Sequence, residues 1–376
     1  MDSSRRTFFR TASAIGAGMA AAALLGRNAH GALLGAPPPT APGKGSGATG
    51  AGAPPAADSS SGADVFTGSG EHRYRVHHDW LTPPNGYAFG DTHGLAQDSA
   101  GRIYVAHTVN PSSESKDAVL VFNRDGSFAR SFGSEFAGGA HGLDLRAESG
   151  TEYLYHCDTG RRCVVKTALD GTVVWKVGAP MESGAYEKAE QWCPTNVAFG
   201  PDGMLFVGDG YGAGFVHVYD AAGNWKRIVS RPGKDIGQTS CPHGMTVDTR
   251  GTAFTKEPTL CVADRGNRRM QYFALDGKPL GVVTAGMRMP CDMKVRGELL
   301  LVPDLESVVT ILDGANTPVA HLGDGNPTNL RGAPRDKFVP GKFVHPHDAI
   351  WLDDGSILVA EWVPIGRVTR LVRATA

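Results

Sequence analysis

An excess of charge of either sign is missing from this sequence. Against 37 Lys and Arg stand 38 Asp and Glu, well mixed along 376 residues, for a net charge of −1. With no basic stripe, nucleic acid and anionic membrane surfaces are excluded as partners. Cysteine is scarce as well, at positions 157, 163, 193, 241, 261 and 291. Six thiols allow 15 connectivities, so no pairing follows from sequence. Long apolar runs are absent: the stretch 12–25 is short for a membrane span and rich in Ala and Gly. Amphipathic helical periodicity is nearly absent too, which leaves an all-β chain.

What the N-terminus does contain is Ser4-Arg5-Arg6-Thr7-Phe8-Phe9-Arg10 ahead of that mild apolar run. A twin arginine in this setting is the pattern of a Tat export signal. The expectation is a signal peptide over 1–32, cleaved near 29–32, and a periplasmic or secreted protein with no membrane span in the mature chain. No cysteine lies near the cleavage region, which argues against lipid attachment. Residues 33–70 are Pro, Ala, Gly, Ser and Thr with hardly an aliphatic side chain, too little apolar surface to offset ordering entropy. They read as a flexible tether, and 71–376 as the folded domain, expected to be a monomer. The Tat route carries proteins already folded, which suits a metal loaded before export.

The folded part is repetitive. His93-Gly94-Leu95, His141-Gly142-Leu143, Pro194-Thr195-Asn196, Pro242-His243-Gly244, Pro290-Cys291-Asp292 and Pro346-His347-Asp348 each precede a short apolar strand. Taking the histidine slot as origin, the units start at 93, 141, 195, 243, 291 and 347, in steps of 48, 54, 48, 48 and 56 residues. In the first unit the strands read 93–98, 102–107, 118–123 and 128–132, separated by Ser99-Ala100-Gly101 and Arg124-Asp125-Gly126. Comparable turns fall at Asp170-Gly171, Ala222-Gly223, Asp276-Gly277 and Asp313-Gly314. Six units of four antiparallel strands predict a six-bladed β-propeller of the NHL-repeat type. The strand near Tyr74-Arg75-Val76-His77 is expected to complete the last blade.

The innermost strand of each blade lines the channel, so the repeat sets His93, His141, Thr195, His243, Cys291 and His347 in one inward ring. Blades two, four and six stand about 120° apart. His141, His243 and His347 can therefore converge on one ion, and three imidazoles with an open fourth position describe a catalytic zinc site. His93, Cys291 and His107 are expected as further channel-lining groups. His72, His77, His78, His217 and His321 are read as surface or inter-blade residues. Tyr211 and Arg265, at the ends of second strands, would face the same mouth. Asp158, Asp209, Asp264 and Asp304 recur at that strand end as turn hydrogen-bonders.

Cys193-Pro194-Thr195-Asn196-Val197 with Asp209-Gly210-Tyr211, Pro242-His243 with Asp264-Arg265, and Pro346-His347-Asp348 resemble peptidyl-α-hydroxyglycine α-amidating lyase. The resemblance implies zinc on His141, His243 and His347, Tyr211 as base, and Arg265 stabilising negative charge. It further implies a structural calcium held by Asp348 and the backbone carbonyls of Leu95 and Leu143. The implied reaction cleaves a carbinol C–N bond in a small-molecule or peptide substrate. Two departures stand out: the family's second arginine, after the position of His107, is Thr108, and the cysteine following its tyrosine is Gly212, which leaves Cys193 without that partner. The rival reading is a secreted NHL propeller that binds protein or glycan without catalysis. A metal-dependent hydrolase or lactonase ranks behind both, since such sites favour carboxylate and asparagine ligands.

Overall fold

The computed structural model describes residues 64–325 and 329–374. The leader and most of the tether lie outside the described residues. Among those described there are strands and short 3₁₀ turns and no α-helix, and no helix is long and apolar enough to cross a membrane.

Six sheets, antiparallel except where Gln238–Thr239 adds parallel to one edge, form six blades. In the first, Thr92–Gln97, Ile103–His107, Val119–Phe122 and Phe128–Phe132 pair in sequence order, within a residue or two of the limits read from sequence. The second and third strands are buried along their whole length, because both faces pack against neighbouring blades. The outermost strands are half exposed, as at Val173–Val177. Two sheets carry an extra two-residue strand, Phe66–Thr67 and Gln238–Thr239.

The ring closes by exchange between chain ends. Tyr74–His77 pairs antiparallel with Arg367–Arg373, from Tyr74 opposite Arg373 to His77 opposite Arg370. The first strand of the domain thus becomes the outer part of the last blade. Apolar clusters then fill the joints between blades: Ile103, Val105 and Leu120 of blade one meet Leu358, Ala360 and Val368 of blade six. Blade one meets blade two through Tyr104, Val119, Leu154 and Val165. Burial between blades, rather than within any one, holds the disc together.

Turn chemistry matches the sequence with one exception. Gly126, Gly171, Gly223 and Gly277 take positive φ between strands, where a Cβ would be strained. In the turn after Asp313, however, the left-handed residue is Asn316 at φ 62° and not Gly314. The loop has the same five-residue form as the one from Asn123 to Ser127, with Asn316 in the slot that Gly126 fills, and Asn tolerates that region. Asn316 also reaches a buried ion pair: Arg250 Nη2 lies 2.7 Å from its Oδ1 and 2.7 Å from Asp248 Oδ2, and both charged side chains are fully buried. Removing one member strands the other charge. Arg250→Ala is expected to cost about 3–5 kcal/mol, read as a lowered Tm in a thermal melt.

Candidate metal centre

The origin residues lie at or just before the start of the inner strands, and the structure brings five of the six polar side chains into one ring. The ring centroids of His141, His243 and His347 form a near-equilateral triangle with sides of 4.8, 4.8 and 4.7 Å. His93 lies 4.5 Å from His347 and 4.7 Å from His141. All four are buried, as is Cys291.

The three alternate-blade histidines share one arrangement. His141 Nδ1 lies 2.8 Å from the Thr195 carbonyl, His243 Nδ1 2.8 Å from the Cys291 carbonyl, and His347 Nδ1 3.2 Å from the His93 carbonyl. In every case the acceptor is the origin residue of the next blade. A carbonyl can only accept, so each Nδ1 carries its hydrogen and each Nε2 presents a lone pair. Such backbone partners fix ring orientation in metal-ligating histidines. Glycine after two of these histidines makes the contact possible: a Cβ at Gly142 would fall 2.4 Å from the Thr195 oxygen, and one at Gly244 2.5 Å from that of Cys291.

The Nε2 atoms then face inward with too few donors. Tyr211 Oη lies 3.2 Å from His141 Nε2 and 3.1 Å from His243 Nε2. Its single hydrogen can serve only one of them. His93 Nδ1 stands 3.2 Å from His347 Nε2. Three buried lone pairs therefore share two hydrogens, and a cation among them would supply what is short. Burial lowers the pKa of His141 to about 4, against the pull of the Thr195 carbonyl, and holds those of His93, His243 and His347 well below the ordinary value. Neutral imidazoles are the form that binds a metal. The donor set fits a transition ion.

Ligand atoms group most closely as His93, His141 and His347, and as His243, Cys291 and His347, each set within 4.8 Å. The trio expected from alternate blades is thus divided between two sets that share His347, with Tyr211 Oη between His141 and His243. Cys291 is part of the ring, its Sγ 3.3 Å from His243 Nδ1.

Tyr211 and Arg265 lie on the histidine side of the disc. The Arg265 guanidinium sits 5.2 Å from the centre of the Tyr211 ring, 3.2 Å from Cys241 Sγ and 3.9 Å from Cys291 Sγ. It makes no ion pair among the described residues, unlike Arg331 on the same rim, which is held by Asp91 at 2.7 and 2.8 Å. Tyr211 is 43% exposed although its hydroxyl touches two buried rings. Burial pushes that hydroxyl up to about 12, against the pull of Arg265.

His107 stays outside the ring. Its Nδ1 accepts the amides of Gly90 at 3.2 Å and Val109 at 3.1 Å, and its ring packs edge-on against Phe89. His217, read as a surface or inter-blade residue, is fully buried between Tyr186 Oη at 2.8 Å and Trp225 Nε1 at 3.1 Å. The strand-end aspartates act as turn hydrogen-bonders: Asp209 accepts the amides of Cys193 and Ala213, each at 2.7 Å. That use explains Gly212, since a Cβ there would lie 1.9 Å from Asp209 Oδ1. Cys193 and the other five cysteines are free thiols. Of the calcium set, Asp348 Oδ2 accepts the Leu95 amide at 2.8 Å, and Leu143 is buried beside Gly94.

Sequence reasoning missed Cys241, Asp144, Asp292 and Lys294. Asp144 and Lys294 both stand three residues after their origins, in blades two and five, a coincidence of slot and opposite charge that the repeat could have exposed.

No family model matches the chain. It is similar to a probable peptidyl-alpha-hydroxyglycine alpha-amidating lyase of Caenorhabditis elegans, 26% identical over 194 residues, which is 48% of this chain and 52% of that protein. NHL repeat-containing protein 3 of Homo sapiens is 25% identical over 227 residues, 55% of this chain and 59% of that one. The chain spans about half the length of the curated relatives it matches. Among solved structures, virginiamycin B lyase from Staphylococcus aureus aligns with a TM-score of 0.52 at 10% identity, over 80% of this chain and 99% of that one. A gluconolactonase from Xanthomonas campestris aligns at 0.50 and 16%, over 79% and 89%. At these identities the likeness shows the propeller fold alone.

Proposed function

We propose that this chain is a metal-dependent carbon–nitrogen lyase of the amidating kind, acting on a carbinol substrate that carries a carboxylate. The observation that carries the reading is the deficit of hydrogens among three converging Nε2 atoms, with an unpaired arginine beside them. His141, His243 and His347 would hold the ion, with zinc favoured by the imidazole set. A zinc ion there would lower the pKa of the substrate hydroxyl.

The chain's own groups do the rest. Tyr211 Oη, once deprotonated under the pull of Arg265 and of a cation at the imidazoles, would take the hydroxyl proton. As the carbon–oxygen bond becomes a carbonyl, the C–N electron pair leaves with nitrogen, which receives that proton. The products are an amide and an aldehyde acid, with atoms and charge balanced. Arg265, which has no anionic partner, would hold the carboxylate and the developing charge. A cavity of about 240 Å³ beside Gly210 and Cys241 would take the body of the substrate. Export through the twin-arginine leader belongs to the same proposal and rests on the sequence pattern alone.

The test is incubation of metal-loaded protein with peptidyl-α-hydroxyglycine compounds. Amide and glyoxylate should appear in equal amounts. Fully loaded protein that releases neither defeats the reading and favours the scaffold, for which the likeness to NHL repeat-containing protein 3 speaks. His93 supports His347 through its backbone carbonyl, and its side chain is not counted among the ligands. Accordingly, His93→Ala should retain one metal equivalent by elemental analysis while His347→Ala loses it.

A further inference from the structure

Below the imidazoles the channel holds a second polar layer for which the lyase reading has no use. Asn196, Asp292 and Asp348 follow their origins by one residue, Asp144 and Lys294 by three. Blades two and five face each other across a ring of six. The contact of Lys294 Nζ with Asp144 Oδ1 at 2.7 Å therefore spans the axis. The same ammonium lies 3.0 Å from Asp292 Oδ2. The side chains are 18% exposed for Lys294, 14% for Asp144 and 4% for Asp292.

Burial works against the Lys294 ammonium, but Asp144, Asp292 and Asp348 outweigh it and hold its pKa well above the ordinary value. Lys294 thus carries its charge between Asp144 and Asp292 at the centre of the layer. Between it and the imidazoles is a void of about 10 Å³, the size of one water.

We propose that the Lys294 ammonium is the resident cation of the lower channel, and that the Asp348 position, which the resemblance assigns to calcium, takes no divalent ion. Calcium wants six to eight oxygens around it. Here Asp144 and Asp292 already hold a fixed positive charge, which would repel a second one beside Asp348 at close range in a low-dielectric interior. The ion pair also closes the channel. A cavity of about 590 Å³ on the far side of Lys294 and Asp144 is cut off from the imidazoles, so substrate reaches them from the Tyr211 face.

The experiment uses the full chain. Calcium content is measured by elemental analysis, and Tm is read in chelator and in millimolar calcium. Wild type should carry no calcium and melt at one temperature in both. Lys294→Met should lose about 5–10 °C, since it strands buried carboxylates. Lys294→Met/Asp144→Asn should recover part of that loss, and it carries the test if the single variant does not fold. One calcium equivalent in wild type whose removal lowers Tm would overturn the proposal, as would Lys294→Met melting with wild type.

Discussion

Tyr211→Phe is expected to keep the fold and the bound metal and to cut turnover by about 10²–10⁴-fold, the usual worth of a positioned acid–base group. The change removes one oxygen that bridges His141 Nε2 and His243 Nε2. Its ring remains under the Arg265 guanidinium, so packing at the mouth should be conserved. A loss in kcat with nearly constant KM would mark a proton-transfer role. Metal content measured on the same sample separates this from a disturbed ligand set. If Tyr211→Phe turned over like wild type, the hydroxyl would be no more than a cap on two imidazoles.

Arg265→Met should cost about 10²–10³-fold in kcat/KM, the range for deleting one preorganised donor to developing charge. Lysine should not rescue it, because a planar fork matches a carboxylate and a point charge does not. The partners of the guanidinium are two thiols and an aromatic face, none of them an anion. That is an unusual resting state for a partly buried cation, and a substrate carboxylate would complete it. Substrates lacking the carboxylate should lose the same factor on wild type and nothing further on Arg265→Met. Additive losses would place the arginine elsewhere in the mechanism. The absence of arginine at Thr108 makes this test sharper, since no second guanidinium follows His107 to share the task.

The strands and their order were legible because each blade repeats the same apolar pattern, and burial from both sides leaves it nearly continuous at residues such as Ile103 to His107. The ring of origin residues was legible for the same reason: equal register along equivalent strands puts equivalent residues at one height. What the repeat did not convey was direction within the ring. Nothing in His141-Gly142 says that Nδ1 will find the carbonyl of Thr195, a residue 54 positions on. The lower layer was not legible because the repeat marks the histidine slots, whereas the partners Asp144 and Lys294 differ in charge and lie 150 residues apart. For His217 the sequence left surface and inter-blade positions open, because Trp225 lies on the neighbouring strand but Tyr186 comes from a loop outside the regular strands.

The central claim is that three alternate-blade imidazoles hold one transition ion. Elemental analysis of purified wild type against the His141→Ala/His243→Ala/His347→Ala variant tests it most directly. One equivalent of zinc or another transition metal in wild type, and none in a variant that still melts cooperatively, is the predicted result. Natively produced wild type with no transition metal, or a variant that keeps its equivalent, would contradict it.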